Sequence, residues 1–426
     1  MRARRLPIPT RTDCRMLVTG TAPIGQSFGT VPVRRAYYHA DGSPGLFPLD
    51  SQLNLPEWGY SYVLQELSCR LAVKMSYEET QEILHRFFPV KNPIRSSEGI
   101  VGEVVDETER FYEKKAPLEI CPEAVATIAT VDKKGVVIRK VLEDEAGPEV
   151  LPGNPDKPGK KKMATVISTY VTPRYICPAD CILKEDSDQG RSDLRPKPQS
   201  KVTWGSLTDE QKKTVARLKK TVEQRFPEGN ELVCILDGEK SLWSLVYKYF
   251  PTAFLVRDIC HVLEHLVRAA LCFHDEGSLQ AREFVTERLR MLLNGRAGRL
   301  IGGLKQMLTK QDLSGTKRRS LEQVIGYLER NGKHMRYEIC LTKGYPVGSG
   351  FIKCACRNLI NDRLELTGMI WTVRGAVSIM RLRAIHMNKD WDAFWTYRRK
   401  SERRRLYGIE DSSSSEIREQ ELPCAA

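Results

Sequence analysis

Long apolar runs are what this sequence most clearly lacks. No stretch of its 426 residues approaches the run of about 18 apolar residues that a membrane-spanning helix needs. The basic N-terminal segment MRARRLPIPTR is not followed by the apolar stretch of a secretory signal. We therefore expect neither a membrane span nor a secretory signal.

Cysteine pairs at zinc-binding spacing are also missing. The 12 cysteines are scattered, and the closest pairs, Cys177/Cys181 and Cys354/Cys356, do not have C-x-x-C spacing. Most of the others stand in apolar runs, such as Cys234 in ELVCILD. Buried thiols of this kind are typical of a reducing cytoplasm. We expect a cytoplasmic protein without a disulfide framework and without structural zinc.

Positive charge is what the chain has in excess. Its 67 Lys and Arg residues outnumber 54 Asp and Glu residues, which gives a net charge of +13. Such a surplus favours a polyanionic partner, most often nucleic acid. The alternative is an enzyme that is basic but otherwise ordinary. With 41% hydrophobic and 28% charged residues, the chain is expected to be globular and to form two or three domains.

The N-terminal part divides by composition into two regions. Residues 1–60 are rich in Pro, Gly and Arg and predict an irregular region of short strands and loops. Residues 61–115 read as helices, one of which opens with a capping box, Ser76-Tyr-Glu-Glu79. This helical region resembles a helix-turn-helix DNA-binding module, and a plain helical bundle fits the pattern equally well.

A change to β-branched residues marks the next region, 121–258. VATIATVD and GVVIRKVL, joined by Lys-Lys-Gly, predict a β-hairpin, and MATVISTYVT predicts a third strand. A strand ELVCILD, a helix and a strand AFLVRD then predict a parallel βαβ unit. The predicted strands cover, in order, 125–132, 135–142, 163–172, 231–237 and 253–258.

Three antiparallel strands followed by two parallel ones indicate an α/β fold with a ribonuclease-H-like mixed sheet. The polar stretch 184–203 is predicted to be a loop. Residues 259–340 read as almost entirely helical, and 341–400 as largely helical. The remainder, 401–426, is basic and Ser-rich and is predicted to be a disordered tail.

Two aspartates close predicted strands of this sheet. Asp132 and Asp237 each precede a glycine by at most three residues, so simple turn chemistry is one interpretation. The other is a divalent-metal site for phosphoryl transfer, for which two carboxylates on separate strands of a basic protein are suited. The expected fold would bring both to the same end of the sheet.

The segment DICHVLEHL, 258–266, allows three interpretations. Asp258 can cap a helix whose histidines are partly buried. His261-x-x-Glu264-His265 can be an inverted zincin pattern, and hence a zinc peptidase, if a distant carboxylate completes it. Asp258-x-x-His261 can also stand beside a catalytic core.

Several motifs together carry a resemblance to a known family. Asp132, Asp237, Asp258-x-x-His261 and GYPVGSGFIKCACRN (344–358) occur in that order. They are accompanied by HMRY (334–337), RLELTGMIW (363–371) and WDAFW (391–395). With these motifs the chain resembles insertion-sequence transposases of the ISKra type, which are DDE enzymes related to Mutator-like transposases. The resemblance runs from about residue 34 to about residue 408.

The resemblance implies Mg²⁺- or Mn²⁺-dependent cleavage and transfer of DNA strands by a homo-oligomer that binds transposon ends and target DNA. It implies Asp132 and Asp237 as the first two catalytic acids and as metal ligands, with Asp258 and His261 matching the family's C/D-x-x-H motif. It also implies that residues 259–340 are a helical insertion and 341–400 the C-terminal helical part of the catalytic core. The family's third acid is a glutamate three residues after the Gly-Ser-Gly turn. In this chain Lys353 stands at that position.

Two departures from the family suggest an alternative function. Lys353 replaces the third acid, and residues 1–60 contain only Cys14 where relatives carry a zinc-ribbon-like segment. A catalytically inactive DNA-binding relic or regulator would fit both. Glu338 and Glu365 are other candidates for the third acid. Lys353 itself could serve as a counter-ion between the two aspartates in place of the metal, or point into solvent.

Overall fold

The computed structural model describes twelve stretches of the chain. They are residues 15–27, 29–39, 47–57, 59–89, 93–116, 126–139, 161–185, 196–225, 231–237, 239–348, 350–366 and 368–409. The chain forms two compact units, the first from 1–116 with 374–426 and the second from 117–373. The region 341–400, predicted as one part of the catalytic core, is thus divided between the two units.

Both units contain strands and helices. The described residues form the strands β1 Arg15–Gln26, β2 Gly29–His39, β3 Ala126–Val137, β4 Lys161–Thr172, β5 Gln199–Ser206, β6 Glu231–Leu236 and β7 Phe254–Arg257. Their α-helices are α1 Pro48–Leu53, α2 Tyr62–Ala72, α3 Tyr77–Phe87, α4 Ile94–Val105, α5 Thr108–Lys114, α6 Ala179–Glu185, α7 Gln211–Arg225, α8 Lys240–Tyr249, α9 Ile259–Ala270, α10 Leu279–Leu293, α11 Ala297–Lys310, α12 Gly315–Asn331, α13 Tyr337–Lys343, α14 Gly350–Cys356, α15 Asp362–Leu364, α16 Val373–Met387 and α17 Trp391–Tyr407. A 3-10 helix covers Gly332–His334 and a π-helix covers Arg357–Asn361. Across the described stretches, no helix has both the length and the apolar composition needed to cross a membrane.

A five-stranded mixed sheet organises the second unit. Its strand order is β5-β4-β3-β6-β7. The pairs β3–β4 and β4–β5 are antiparallel, whereas β3–β6 and β6–β7 are parallel. The α/β class and the mixed sheet expected from the sequence are therefore present.

The predicted β-hairpin over 125–142 is wrong. β3 continues through Gly135 without a turn, and its residues pair with β4 from Ala126↔Thr172 to Val137↔Lys161. A Cβ at Gly135 would lie 3.3 Å from Lys161 Cδ, so the glycine allows a close strand contact rather than a turn.

The third antiparallel strand comes from a segment predicted as loop. β5 begins at Gln199, inside the polar stretch 184–203, and forms the edge of the sheet beside β4. Its first half is largely exposed and only 203–206 are buried. An edge strand needs little apolar sequence, which is why the polar composition concealed it.

The two faces of this sheet are covered differently. Ile128, Val233 and Ile235 face a core formed with α9–α13. α7 packs on β3 and β4 from the other side, with α8 beside it. Since side chains alternate along a strand, Asp132 shares the α9 face with Ile128, whereas Lys133 points to the α7 and α8 side.

The first unit combines a β-hairpin with helices from both ends of the chain. β1 and β2 form the antiparallel pair, within a region predicted to be irregular. The predicted capping box of α3 is confirmed, since Ser76 Oγ accepts from Glu79 N at 3.0 Å and Glu79 Oε2 accepts from Ser76 N at 2.8 Å. Both hydrogen bonds satisfy amides that the first helical turn leaves without partners.

The predicted disordered tail, 401–426, is wrong at its start. Residues 401–407 complete α17, where the Arg405 guanidinium bonds Glu402 Oε2 at 2.8 Å and Glu57 Oε2 at 2.6 Å. Much of the basic run RRKSERRR is thus an ordered helix held by acidic partners. Residues 410–426 lie outside the described part of the chain.

Candidate active site

The parallel register of β3 and β6 brings two predicted site residues together. Val131 pairs with Leu236 at the last step of the ladder. Asp132 and Asp237 are the next residues on these neighbouring strands, which lie about 4.8 Å apart in a sheet. β6 ends before Asp237, whereas β3 continues past Asp132. The two half-buried carboxyl groups therefore lie side by side on the face that turns toward α9.

The surroundings of Asp237 oppose its negative charge. Burial raises the pKa of Asp237, and the charge of Asp132 raises it further. The Glu239 amide donates to Asp237 Oδ1 at 3.1 Å and lowers the pKa, as do His261 and Arg257, but the net direction is upward. A cation near the two carboxyl groups would therefore stabilise their charged forms.

The helix after the Gly-Ser-Gly turn aims a thiol at Asp132. Asp132 Oδ1 accepts from Lys133 N at 2.7 Å, and Cys356 Sγ donates to Asp132 Oδ2 at 3.4 Å. Burial raises the pKa of the Cys356 thiol, and Asp132, which accepts its hydrogen bond, raises it further. Cys356 is therefore a protonated donor to the first acid.

Sequence reasoning missed Cys356. The sequence relates it only to Cys354, as a pair without zinc-binding spacing, and the two side chains are in fact separated, Cys354 exposed and Cys356 buried. The available signal was helical spacing, because Cys356 lies three residues beyond Lys353 and so on nearly the same helix face.

Lys353 is directed at α9 rather than at the acid pair. Its Nζ lies 3.4 Å from Glu264 Oε1, and its side chain is 40% exposed. Burial acts to lower the pKa of Lys353, but nearby Cys260, Asp258 and Glu264 raise it overall. In the described residues no hydrogen bond or ion pair joins Lys353 to Asp132 or Asp237, so the counter-ion of Lys353 is Glu264. Ser349 of the preceding turn lies outside the described residues.

The segment 258–266 begins with a helix cap. Asp258 is fully buried and its Oδ1 accepts from Cys260 N at 3.0 Å, as the capping interpretation predicts. His261 Nδ1 lies 3.3 Å from Glu264 Oε2. His265 stacks on Tyr327 with ring centroids 3.6 Å apart, and burial lowers the pKa of His265 to about 4. His261 thus stands near Asp237, while His265 belongs to the packing of α9.

A buried arginine fixes the backbone at the second acid. Arg257 donates to the main-chain oxygen of Asp237 and to Asn331 Oδ1. Trp243 Nε1 donates to the same Asp237 oxygen at 2.6 Å. These donors hold the strand end from which the Asp237 carboxyl group projects.

The HMRY segment, 334–337, contacts Arg257 and its neighbour Trp243. The His334 ring packs against Trp243 with 4.3 Å between ring centroids and a tilt of 36°, and burial lowers the pKa of His334 to about 4. Tyr337 Oη donates to Arg257 O at 2.8 Å. This motif therefore positions the site without reaching the carboxyl groups.

The segment 363–371 extends along β3 past Asp132. Trp371 N donates to Val137 O at 3.1 Å, and Arg139 N donates to Trp371 O at 2.8 Å. Glu365 Oε2 lies 3.3 Å from the ammonium of Lys134. Glu365 is therefore neutralised by Lys134, two residues from Asp132. The other candidate third acid, Glu338 of α13, lies against Gly295, which is in the connection between α10 and α11.

The carboxyl pair supplies a limited set of metal ligands. Over the described ranges, no group of three or more His, Cys, Asp or Glu side chains is arranged to hold a metal ion. Asp132 and Asp237 can offer two carboxylates, and Mg²⁺ is commonly bound by one or two carboxylates with water and substrate oxygens. The inverted zincin pattern lacks its third ligand within the same ranges.

Comparisons with known proteins add little to this geometry. No family model and no curated protein matches the chain. Among solved structures, the chain is similar to one titled "Drosophila P element transposase strand transfer complex", with 10% sequence identity and a TM-score of 0.27. The alignment covers 82% of this chain and 82% of that chain. A likeness at this level supports no conclusion about this chain.

Proposed function

We propose that this chain is a DNA transposase-like protein that cleaves and transfers DNA strands with Mg²⁺ or Mn²⁺ held by Asp132 and Asp237. The observation that carries the proposal is the β3–β6 register, which sets the two acids side by side. The net charge of +13 favours DNA as the substrate. The ISKra-type motifs of the sequence agree with this assignment and suggest a homo-oligomer acting on transposon ends and target DNA.

The strand order supports a ribonuclease-H-like catalytic unit. Three antiparallel strands, β3 to β5, are followed by two parallel strands, β6 and β7. The first acid lies on the first of these strands and the second acid follows the fourth. The helices α9–α13 then stand where the sequence suggested an insertion.

The donor set fits one hard divalent cation. Asp132 and Asp237 would hold it, since burial and mutual repulsion already raise the pKa of Asp237. A bound Mg²⁺ supplies charge stabilisation for in-line displacement at phosphorus. The protein itself fixes Asp132 through Lys133 N and Cys356, and Asp237 through Glu239 N, while Arg257 and Trp243 hold the Asp237 backbone.

The alternative is a DNA-binding relic or regulator that keeps the fold without cleavage. The observation that favours it is Lys353, which occupies the third-acid position and pairs with Glu264. Over the described residues, no third carboxylate joins Asp132 and Asp237 in a group that could hold a metal ion. The two functions share DNA binding and differ in metal-dependent chemistry.

Nicking of a supercoiled plasmid that carries candidate terminal repeats tests the proposal. We expect nicked DNA with Mg²⁺ or Mn²⁺, and nicking at background level for Asp132→Asn and Asp237→Asn. Asp180→Asn is the matched control, because Asp180 is exposed and pairs with Arg290 on the surface. A wild-type protein that binds the plasmid but leaves it intact with either metal would support the relic instead.

A further inference from the structure

We propose that the exposed face of α7, a helix that starts at the same end of the sheet as the acid pair, binds the phosphate backbone of duplex DNA. The face carries Lys212, Lys213, Lys219 and Lys220. The inference rests on the proposed function, because it gives that function a place where DNA lies on the catalytic unit. It concerns the backbone alone, so binding on this face is expected to be independent of DNA sequence.

The four lysines share one side of the helix. Val215, Leu218 and Val222 are buried on the side of α7 that packs on the sheet. At about 100° per residue, the lysines fall within about 120° of arc, centred about 130° from the buried side, and the exposed Glu223 falls within the same arc. Lys212 and Lys220 are separated by about 12 Å along the axis, at about 1.5 Å per residue. Such a strip spans three to four nucleotides of one DNA strand at about 3.4 Å each.

Few acids compete for these lysines. Lys219 pairs with Glu223 at 3.5 Å, on an exposed i,i+4 pair. No ion pair to an acid within the described residues involves Lys212, Lys213 or Lys220. Asp209 and Glu210 precede the helix and lie near its N-terminus, where negative charge suits the helix dipole. A face that serves only solubility usually mixes both signs, whereas this face is dominated by one.

Hydrogen bonds join the start of α7 to the candidate site. Gln211 Oε1 lies 2.9 Å from Ser241 Oγ, and Lys133 Nζ donates to the same Ser241 Oγ at 3.1 Å. Lys133 is the neighbour of Asp132 on β3 and points to the α7 side of the sheet. The start of α7 therefore lies at the end of the sheet where Asp132 and Asp237 stand, on the face opposite to their carboxyl groups.

The neighbouring helix, α8, carries further positive charge. On α8, which packs beside α7, Lys240 and Lys248 are exposed. Glu239 is the acid at this end, and it is engaged by Lys133 at 3.1 Å. The α7–α8 surface is thus mainly cationic, which suits a polyanion.

Fluorescence anisotropy of the full chain with a labelled duplex of arbitrary sequence tests the inference. Titrations in EDTA between about 50 and about 200 mM NaCl give the slope of log affinity against log salt. The variant Lys212→Gln/Lys213→Gln/Lys219→Gln/Lys220→Gln is expected to lower the magnitude of this slope by about 3 to 4, at about 0.9 for each DNA phosphate that the variant no longer neutralises. The matched control removes the same charge from exposed positions of the helical insertion: Lys310→Gln/Lys317→Gln/Arg318→Gln/Arg319→Gln.

The outcomes separate this inference from the proposed function. A quadruple α7 variant with wild-type slope, or one no weaker than the control variant, overturns the inference. The double variant Lys212→Gln/Lys220→Gln must show about half of the effect, which keeps the test decisive if the quadruple variant does not fold. Because EDTA removes the metal, failure of nicking counts against the proposed function alone, and an unchanged salt slope counts against the α7 surface alone.

Discussion

The folded protein disfavours the charged form of Asp237. Burial and the neighbouring Asp132 raise the pKa of Asp237 above that of an ordinary aspartate. The folded state therefore binds more protons than the unfolded state between the ordinary value of about 4 and the raised value. The stability of the metal-free protein is expected to fall as pH rises through this window.

The substitution Asp237→Asn removes the loss of stability that accompanies ionisation of Asp237. In EDTA we expect the variant to match the wild-type protein below about pH 4 and to unfold at a higher temperature at pH 7. Thermal unfolding followed by circular dichroism across this pH range measures the difference. Asp180→Asn, at an exposed ion pair, is expected to follow the wild-type curve. An Asp237→Asn protein that is less stable than wild type at pH 7 would contradict this account of the site.

The spacing of residues in the sequence did not predict which of Lys353 and Cys356 contacts Asp132. The sequence resemblance suggested that Lys353 stands at a third-acid position, and the structure turns its ammonium to Glu264. Cys356, one helical turn later, contacts Asp132. Which side of a short helix faces the site depends on how α14 packs on the sheet, and a motif does not contain that information.

At the level of elements, Gly344 at the end of α13 directs the backbone toward the candidate site. Gly344 has φ +75° and ends the helix in the left-handed conformation. Beyond it, Val347 O accepts from Ile259 N at 3.1 Å, and the Gly348 backbone lies against Asp258. This turn therefore sets the approach of the chain to α9 and α14.

Gly344→Ala is expected to destabilise the protein more than a matched glycine change. An added Cβ would lie 2.8 Å from Tyr175 N, in addition to the strain of a left-handed alanine. Gly277 also has φ +75° but has no described atom within 4 Å of an added Cβ. We expect Gly344→Ala to lower the free energy of unfolding by about 1–3 kcal/mol more than Gly277→Ala, as measured by urea denaturation. Equal losses for the two variants would show that the contact with Tyr175 relaxes without cost.

Elements with strong apolar patterns were predictable, and those defined by their neighbours were not. β6 and β7 match their predicted segments closely, because buried parallel strands read as continuous apolar runs. β3 was divided wrongly at Gly135, since a Lys-Lys-Gly sequence fits a turn as well as a strand contact. β5 was missed because its pairing with β4, rather than its own composition, makes it a strand.

At the level of the whole molecule, a buried ion cluster joins the two ends of the chain within the first unit. Arg398 of α17 is 1% exposed, and its guanidinium lies 3.4 Å from Glu107 and 3.6 Å from Glu103. Burial and a hydrogen bond with Glu402 raise the pKa of Glu107 to about 8. Glu107 is thus the carboxyl group of this cluster that is biased toward its neutral form, whereas Glu402 accepts hydrogen bonds from Arg405. Residues 374–407 are therefore part of the fold of the N-terminal helices.

The central claim is that Asp132 and Asp237 together hold a divalent cation. Its most direct test is the thermal unfolding of the wild-type chain, Asp132→Asn, Asp237→Asn and Asp180→Asn at pH 7, each with and without Mn²⁺. A ligand at about 100 times its dissociation constant stabilises the folded state by about 2.7 kcal/mol. We expect Mn²⁺ to raise the unfolding temperature of the wild-type and Asp180→Asn proteins and to leave the other two variants unchanged. Equal Mn²⁺ stabilisation of all four proteins, or of none, would contradict the account.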